Sequence, residues 1–190
     1  MKEYHIPFSH DPEKSAPAQL DFFLWEKNGC EPHTEARLCH DERNLYLLMT
    51  CREKHPLARF TVDGSPVCRD SCMEFFFAPN GDSRYCNIEV NANACSLQEI
   101  GTSRYDRRKI NFLVSRPEAE INDDSWSIKA VISLEKLKAL YGTDSITFLT
   151  GNFYKCGDET DLPHYGMWSE VHSDTPDFHR PECFSKLILD

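Results

Sequence analysis

Apolar and polar residues alternate along several short stretches of this chain of 190 residues. Within residues 83–94, Cys86 and Ile88 fall on one face of an extended backbone, while Asn87 and Glu89 fall on the other. A period of two is typical of a β-strand with one buried face. Alternating or short apolar runs predict further strands at residues 20–25, 34–52 (two strands joined by a turn), 70–79, 95–100, 109–114, 125–134, 145–155 and 183–190.

Turn and cap signals divide these strands. Asn80-Gly81-Asp82 between two strand patterns predicts a tight hairpin. One short helix is predicted after Ser133, which suits an N-cap, and before Gly142, which suits a C-cap. About ten strands and one short helix predict an all-β fold, an antiparallel β-sandwich of jelly-roll type.

The domain organisation follows from where this periodicity begins. Residues 1–19 show little of it, and we interpret them as a polar N-terminal arm. Residues 20–190 contain no repeat or linker, which predicts one sandwich domain.

Charge and cysteine content narrow the range of partners and compartments. A net charge of −10 disfavours a nucleic acid or an anionic membrane as partner, because both are bound through clustered Lys and Arg. No apolar run reaches the ~18 residues of a membrane span, and residues 1–20 contain no secretory apolar segment. Nine cysteines without a Cys-x-x-Cys pair favour reduced thiols and a cytoplasmic rather than a secreted protein.

The polar face of the hairpin over residues 70–94 offers two interpretations. Its side chains are either ordinary solvent-exposed residues or the lining of a sugar cleft. Glu74 and Glu89 are predicted on adjacent strands, and two carboxyl groups that flank a bond are also what a glycosidase needs. A glycosidase-like hydrolase that uses these two residues therefore stays open as an alternative.

Aromatic and amide residues supply the other parts of a sugar site, a flat platform and planar hydrogen-bonding groups. Trp168 lies in a stretch rich in Pro, Gly, Asp and Ser, where an aromatic ring is expected to be partly exposed, and we predict that it stacks on a sugar ring. The predicted ligand-binding residues are Trp168, Asn91, Glu89, Asn152, Arg104, Tyr154 and Glu74.

Seven segments in a fixed order carry a family resemblance. They are TEARLCHDERNLYLLM, DSCMEFFFAP, YCNIEVN, WSIKAVISLEKL, GNFYK, HYGMWSE and FHRPECFSKLIL. From about residue 20 to the end, the chain resembles the family 9 carbohydrate-binding modules. The resemblance implies a β-sandwich that binds the ends of xylan or cellulose chains, is often attached to xylanases and often carries calcium.

The resemblance also implies where a ligand would bind. The family's site is a slot between two tryptophans, and the later tryptophan falls on Trp168. At the position of the earlier one this chain has Val67 and Cys68, so one wall of the slot is missing.

The function predicted from these features is non-catalytic carbohydrate binding that contributes to carbohydrate breakdown alongside glycoside hydrolases. Besides the hydrolase, a second alternative is a module whose sugar site has decayed and which serves as a protein-interaction domain.

Overall fold

A computed structural model describes residues 2–190, which form fourteen strands and one α-helix. The strands are β1 (Glu3–Ile6), β2 (Ala18–Gln19), β3 (Phe22–Phe23), β4 (Thr34–His40), β5 (Asn44–Cys51), β6 (Cys72–Pro79), β7 (Tyr85–Asn91), β8 (Ser96–Gly101), β9 (Arg107–Lys109), β10 (Glu118–Ile121), β11 (Trp126–Ser133), β12 (Phe148–Cys156), β13 (Tyr165–Met167) and β14 (Ser185–Leu189). The helix α1 spans Leu134–Tyr141.

The strands form two sheets, which confirms the predicted β-sandwich. The larger sheet has the order β1-β14-β12-β6-β7-β8-β9, with β13 beside β12 and β3 beside β13. The smaller sheet has the order β10-β11-β5-β4-β2. The main core lies between them, where Phe75 and Phe77 of the larger sheet share one buried cluster with Leu47 and Met49 of the smaller one.

Both predicted hairpins and the predicted helix are present. β4 pairs with β5 and β6 with β7, both antiparallel. In the connection between β6 and β7, residues 80–84, Asn80 and Gly81 have φ of 51° and 73°, the left-handed geometry of a type I′ turn that the Asp82 N–H closes on the carbonyl of Pro79. Ser133 accepts the N-cap hydrogen bond from the backbone of Lys136, and Gly142 ends the helix at φ 68°. Across residues 2–190, no helix combines the length and the apolar character that crossing a membrane requires.

The N-terminal segment does not form the polar arm that its composition suggested. β1 pairs in parallel with β14, and Tyr4 and Ile6 are buried in the main core. Two apolar side chains at alternate positions are enough to bury one face of a short strand, which here covers the edge of β14. The predicted strand at residues 20–25 is shorter than expected, since only Phe22–Phe23 pairs with a neighbour.

The outer face of the larger sheet is also buried, which the strand pattern did not indicate. Every residue of β6 and of β7 is buried. A second apolar cluster covers this face, and it includes Phe76, Tyr154, Phe178 and Phe184. The residues between β12 and β14 therefore fold back over the sheet, and the polar side chains beneath them are enclosed.

Candidate functional site

A cavity of about 190 Å³, open to solvent on one side, lies on this outer face. Its floor is formed by side chains of β6, β7 and β12, and its walls by the residues that cross above them. It is lined by Cys68, Glu74, Phe76, Glu89, Arg104, Cys156, Asp158, Tyr165, Pro176, Asp177, Phe178 and His179.

Two buried glutamates form the polar part of the floor. Glu74 and Glu89 are directly opposite each other in the β6–β7 register. The Cys156 thiol donates to Glu74 Oε1 at 2.9 Å, and the Asn87 amide donates to Glu89 Oε1 at 2.7 Å. Among residues 2–190, nothing pairs with the buried Glu89 Oε2. Because a buried polar atom without a partner is costly, this oxygen marks a place where a ligand group would be stabilising. Glu74 and Glu89 are therefore not the solvent-exposed residues that one interpretation of the sequence proposed.

Burial raises the pKa of three carboxyl groups in the cavity, those of Glu74, Glu89 and Asp158. It raises the pKa of Glu89 to about 7, and the nearby Glu99 carboxylate adds to this effect. Burial, reinforced by the neighbouring Glu89, holds the pKa of Glu74 well above its ordinary value. Burial also raises the pKa of Asp158. A protonated carboxyl group both donates and accepts hydrogen bonds, which matches the two-way bonding of a sugar hydroxyl.

Aromatic rings form the walls of the cavity. Phe178 stacks on Tyr154 with ring centroids 4.1 Å apart, and the half-buried Tyr165 meets Trp25 edge to face at 5.8 Å. Burial and the nearby Arg107 guanidinium lower the pKa of His179 to about 4, so its ring is neutral. Its Nδ1 lies 3.0 Å from the Tyr85 hydroxyl, which donates to it in the neutral tautomer. These rings offer apolar surface beside the carboxyl groups, the combination that sugar recognition needs.

Three of the predicted ligand-binding residues line this cavity: Glu74, Glu89 and Arg104. Arg104 lies at the rim, where its guanidinium donates to the carbonyl of Pro176 at 3.3 Å and is 3.6 Å from the carboxylate of Asp177. The distance to Asp177 is too long for a strong ion pair, so this guanidinium keeps capacity for a ligand.

The side-chain amides of Asn91 and Asn152, both predicted to bind a ligand, form hydrogen bonds within the protein. Asn91 donates to Asp70 and to the carbonyl of Phe60, and its oxygen accepts two backbone N–H groups. Asn152 donates to the carbonyl of Ser169 and also accepts two backbone N–H groups. Neither lines the cavity, so the cavity gives no support to the prediction that they contact a ligand.

Trp168 is not an exposed platform. It is 5 % exposed and packs in the core between the sheets, edge to face with Tyr4 at 6.2 Å and tilted against Phe153 at 5.8 Å. The residue immediately follows β13, whose pairing with β12 directs the indole inward.

Tyr154 also differs from expectation, since it is fully buried beneath Phe178 and supports the wall of the cavity from behind.

Residues that the sequence analysis did not select complete the cavity. Cys68, at the position of the missing tryptophan, lines it with a short side chain, while Tyr165, Phe178 and His179 line the opposite side. Phe178 and His179 begin the last of the seven family-like segments, so the resemblance contained the signal. Strand periodicity did not, because both residues lie outside strands.

Among the described residues, no group of three or more carboxylate side chains brings its oxygens together as calcium ligands. Calcium takes six to eight oxygens. Three metal-donor side chains converge at one place within residues 2–190, at Cys72, Glu74 and Cys156, and two of these donors are sulfur. Among the acidic turn residues, Asp82 is paired with Arg84, and Glu159 with Arg59. Calcium therefore stays a prediction that rests on the family resemblance.

Replacing Glu89 with glutamine is expected to stabilise the protein at high pH. The folded carboxyl group keeps its proton up to a pKa of about 7, whereas in the unfolded chain it loses the proton near 4.5. Stability is therefore lost as the pH rises through this window, by about 3 kcal/mol in total. Urea unfolding of both proteins at about pH 4.5 and pH 8 should show this gain for E89Q only at the higher pH.

The exposed Glu120 provides a matched control for this effect. E120Q should follow the wild-type pH profile. Equal stability of E89Q and the wild type at both pH values would show that Glu89 ionises normally in the folded protein.

Comparisons with known proteins agree with this architecture. A family model described as carbohydrate-binding family 9 matches residues 5–189. A solved structure from Bacteroides uniformis, provisionally described as a carbohydrate-binding protein, is similar with a TM-score of 0.86 and 24% identity, covering 100% of this chain and 99% of that one. No curated protein matches the chain.

Two further solved structures come from Caldicellulosiruptor kristjanssonii. A family 9 module in complex with cellotriose has a TM-score of 0.67 and 11% identity, covering 99% of this chain and 93% of that one. A family 9 module in complex with glucose has a TM-score of 0.66 and 12% identity, covering 100% and 96%. At this level of identity, these likenesses establish the fold.

Proposed function

This chain belongs to carbohydrate-binding family 9, and on that basis we propose that its buried cavity binds the terminal sugar residue of a polysaccharide or oligosaccharide chain. One observation carries the proposal. The cavity is lined by Glu89, Arg104 and the half-buried ring of Tyr165, and one carboxyl oxygen of Glu89 has no partner among residues 2–190. A hydroxylated ring would meet an acceptor, a donor and an apolar surface there.

The size of the cavity favours a chain end over a chain interior. Its volume of about 190 Å³ is below the roughly 300–1,000 Å³ of typical ligand pockets, which suits a single sugar ring. A polysaccharide chain passing through would require an open groove. Cellulose- and xylan-type chain ends are the first candidates, because the resemblance implies them and related modules hold cellotriose and glucose. In this role the protein would assist glycoside hydrolases in carbohydrate breakdown.

The proposal is tested by calorimetric titration of glucose, cellotriose and xylotriose into the protein, each with calcium and with a calcium chelator. We expect at least one sugar to bind. Glu89→Leu removes the polar acceptor and should weaken binding by about 30-fold, a hot-spot effect of ~2 kcal/mol. Tyr165→Ala removes the wall without opening the main core and should weaken it about tenfold.

The exposed Glu120→Gln variant serves as the control and should bind like the wild type. Unchanged affinity in both cavity variants would place the sugar elsewhere. If no sugar binds in either buffer, the module has lost its carbohydrate site and the protein-interaction alternative gains support. Binding only with calcium would support the calcium that the family resemblance implies.

A hydrolase is the second candidate, and one observation favours it. Glu74 and Glu89 are direct cross-strand neighbours in the cavity, and such pairs have Cβ atoms about 4.5–5.5 Å apart, close to the spacing of retaining glycosidases. Against it, a nucleophile must be ionised, whereas burial raises the pKa of both groups. We expect no turnover of nitrophenyl glycosides. Turnover that disappears in Glu74→Gln would favour the hydrolase.

A further inference from the structure

Three metal-binding side chains converge beneath the cavity. One ligand atom each from Cys72, Glu74 and Cys156 lies within 4.8 Å of the other two. The sheet register explains this, since Cys72 is directly opposite Cys156 in the β6–β12 pair. Glu74 follows two residues along β6 and so projects from the same face. We propose that this cluster is a binding site for a thiophilic divalent cation of the zinc type.

The donor set defines the class of metal. Two cysteine sulfurs and one carboxylate are soft or borderline ligands, which select zinc over calcium or magnesium. A zinc–sulfur distance of about 2.3 Å in a tetrahedron places ligand atoms roughly 3.8 Å apart. The ligand atoms lie within 4.8 Å of one another, so a contraction of at most about 1 Å would bring them to tetrahedral spacing. Cys156 Sγ and Glu74 Oε1 are already 2.9 Å apart.

The surroundings of the cluster favour a cation. The carboxyl groups that line the cavity are those of Glu74, Glu89, Asp158 and Asp177, against one guanidinium, that of Arg104. The Glu89 oxygen, buried without a partner among residues 2–190, is an independent observation of a further acceptor that no described donor reaches. A divalent cation would supply positive charge to this acidic lining.

The cavity would give a cation access to the cluster, and a group beside it would supply the fourth ligand. Glu74 and Cys156 line the cavity, so an ion in the cavity reaches them directly. Cys68, which is partly exposed, lines the same space, and its carbonyl oxygen is 3.5 Å from Cys156 Sγ. Its thiol or a water molecule would complete four-coordination. This site shares the cavity and Glu74 with the carbohydrate proposal, but cation binding needs no sugar and is measured without one.

Cobalt titration tests the site, because Co²⁺ reports tetrahedral thiolate coordination in its absorption spectrum. The reduced full-length chain, treated with chelator and kept without oxygen, should bind one Co²⁺ with a thiolate-to-metal charge-transfer band. Zn²⁺ should displace it. In C72S and in C156S the affinity should fall at least about 100-fold, since even outer-shell groups are worth 10–100-fold.

The controls separate metal binding from damage to the fold. Cys39 is a fully buried thiol in the smaller sheet, and C39S should bind Co²⁺ like the wild type. E74Q keeps both thiols, so it should retain the charge-transfer band with weaker affinity even if the serine variants fold poorly. Cys72 does not line the cavity, so sugar affinity measured without metal should be the same in C72S as in the wild type, and failure of either proposal is recognisable separately.

Three outcomes would overturn the site. The first is a charge-transfer band that persists in the C72S/C156S double variant. The second is no Co²⁺ binding while thiol titration of the unfolded chain finds all nine cysteines free, as they are in the structure. The third is a disulfide between Cys72 and Cys156 in protein isolated under reducing conditions.

Discussion

Trp168→Ala is expected to lower the free energy of unfolding by about 3–5 kcal/mol, the usual cost of removing a buried tryptophan from a core. The indole is packed against Tyr4 and Phe153, and the Lys2 ammonium, which donates to the Trp168 carbonyl at 2.6 Å, lies 5.8 Å from its ring. Alanine would leave a large void between the sheets. At about 2–4 °C per kcal/mol for a chain of this size, the melting temperature should drop by roughly 10 °C.

Trp168→Phe is the matched variant, because it keeps an aromatic ring in the same space and should cost much less. Sugar affinity of the folded fraction should be nearly unchanged in both, since the indole does not line the cavity. A small change in melting temperature together with lost sugar binding would return Trp168 to the role that the sequence suggested.

Replacing Lys155 with methionine should destabilise the fold by about 3–5 kcal/mol, because it leaves a buried carboxylate without its cation. The Lys155 ammonium is fully buried, 3.2 Å from Glu53 and 2.6 Å from His164 Nε2. Burial alone would raise the pKa of Glu53, but the Lys155 charge and hydrogen bonds from Ser71 and Trp126 hold it below its ordinary value. Urea unfolding at neutral pH measures the effect.

The double variant Glu53→Gln with Lys155→Met provides the control. It removes the unpaired charge and should recover much of the lost stability, whereas additive losses would show that the two residues do not interact. Since the pair is buried, its contribution should change little with salt concentration.

Local sequence patterns determined the long strands β4, β5, β6, β7 and β11, the turn at Asn80-Gly81 and both caps of the helix, whereas the strand predicted at residues 109–114 does not form beyond Lys109. These features depend on the alternation of apolar and polar residues, on left-handed backbone geometry in the turn and on side-chain capping of the helix. All three are determined by residues close together in the sequence. The same alternation placed Glu74 and Glu89 on one face of adjacent strands, and their direct pairing followed from the hairpin register. For this reason two of the seven predicted ligand-binding residues, Glu74 and Glu89, lie in the cavity, whereas Arg104 reaches it from the turn between β8 and β9.

Only the tertiary structure decided what covers each face of the larger sheet. Alternation separates the two faces of a strand but does not say which residues, distant in sequence, pack on either of them. The segment after β12 carries Trp168 into the core and Phe178 over the outer face, a choice made by the pairing of β13 and not by composition. The contact between Cys156 and Glu74 joins residues 82 positions apart, so it arises from strand order, which the sequence pattern does not contain.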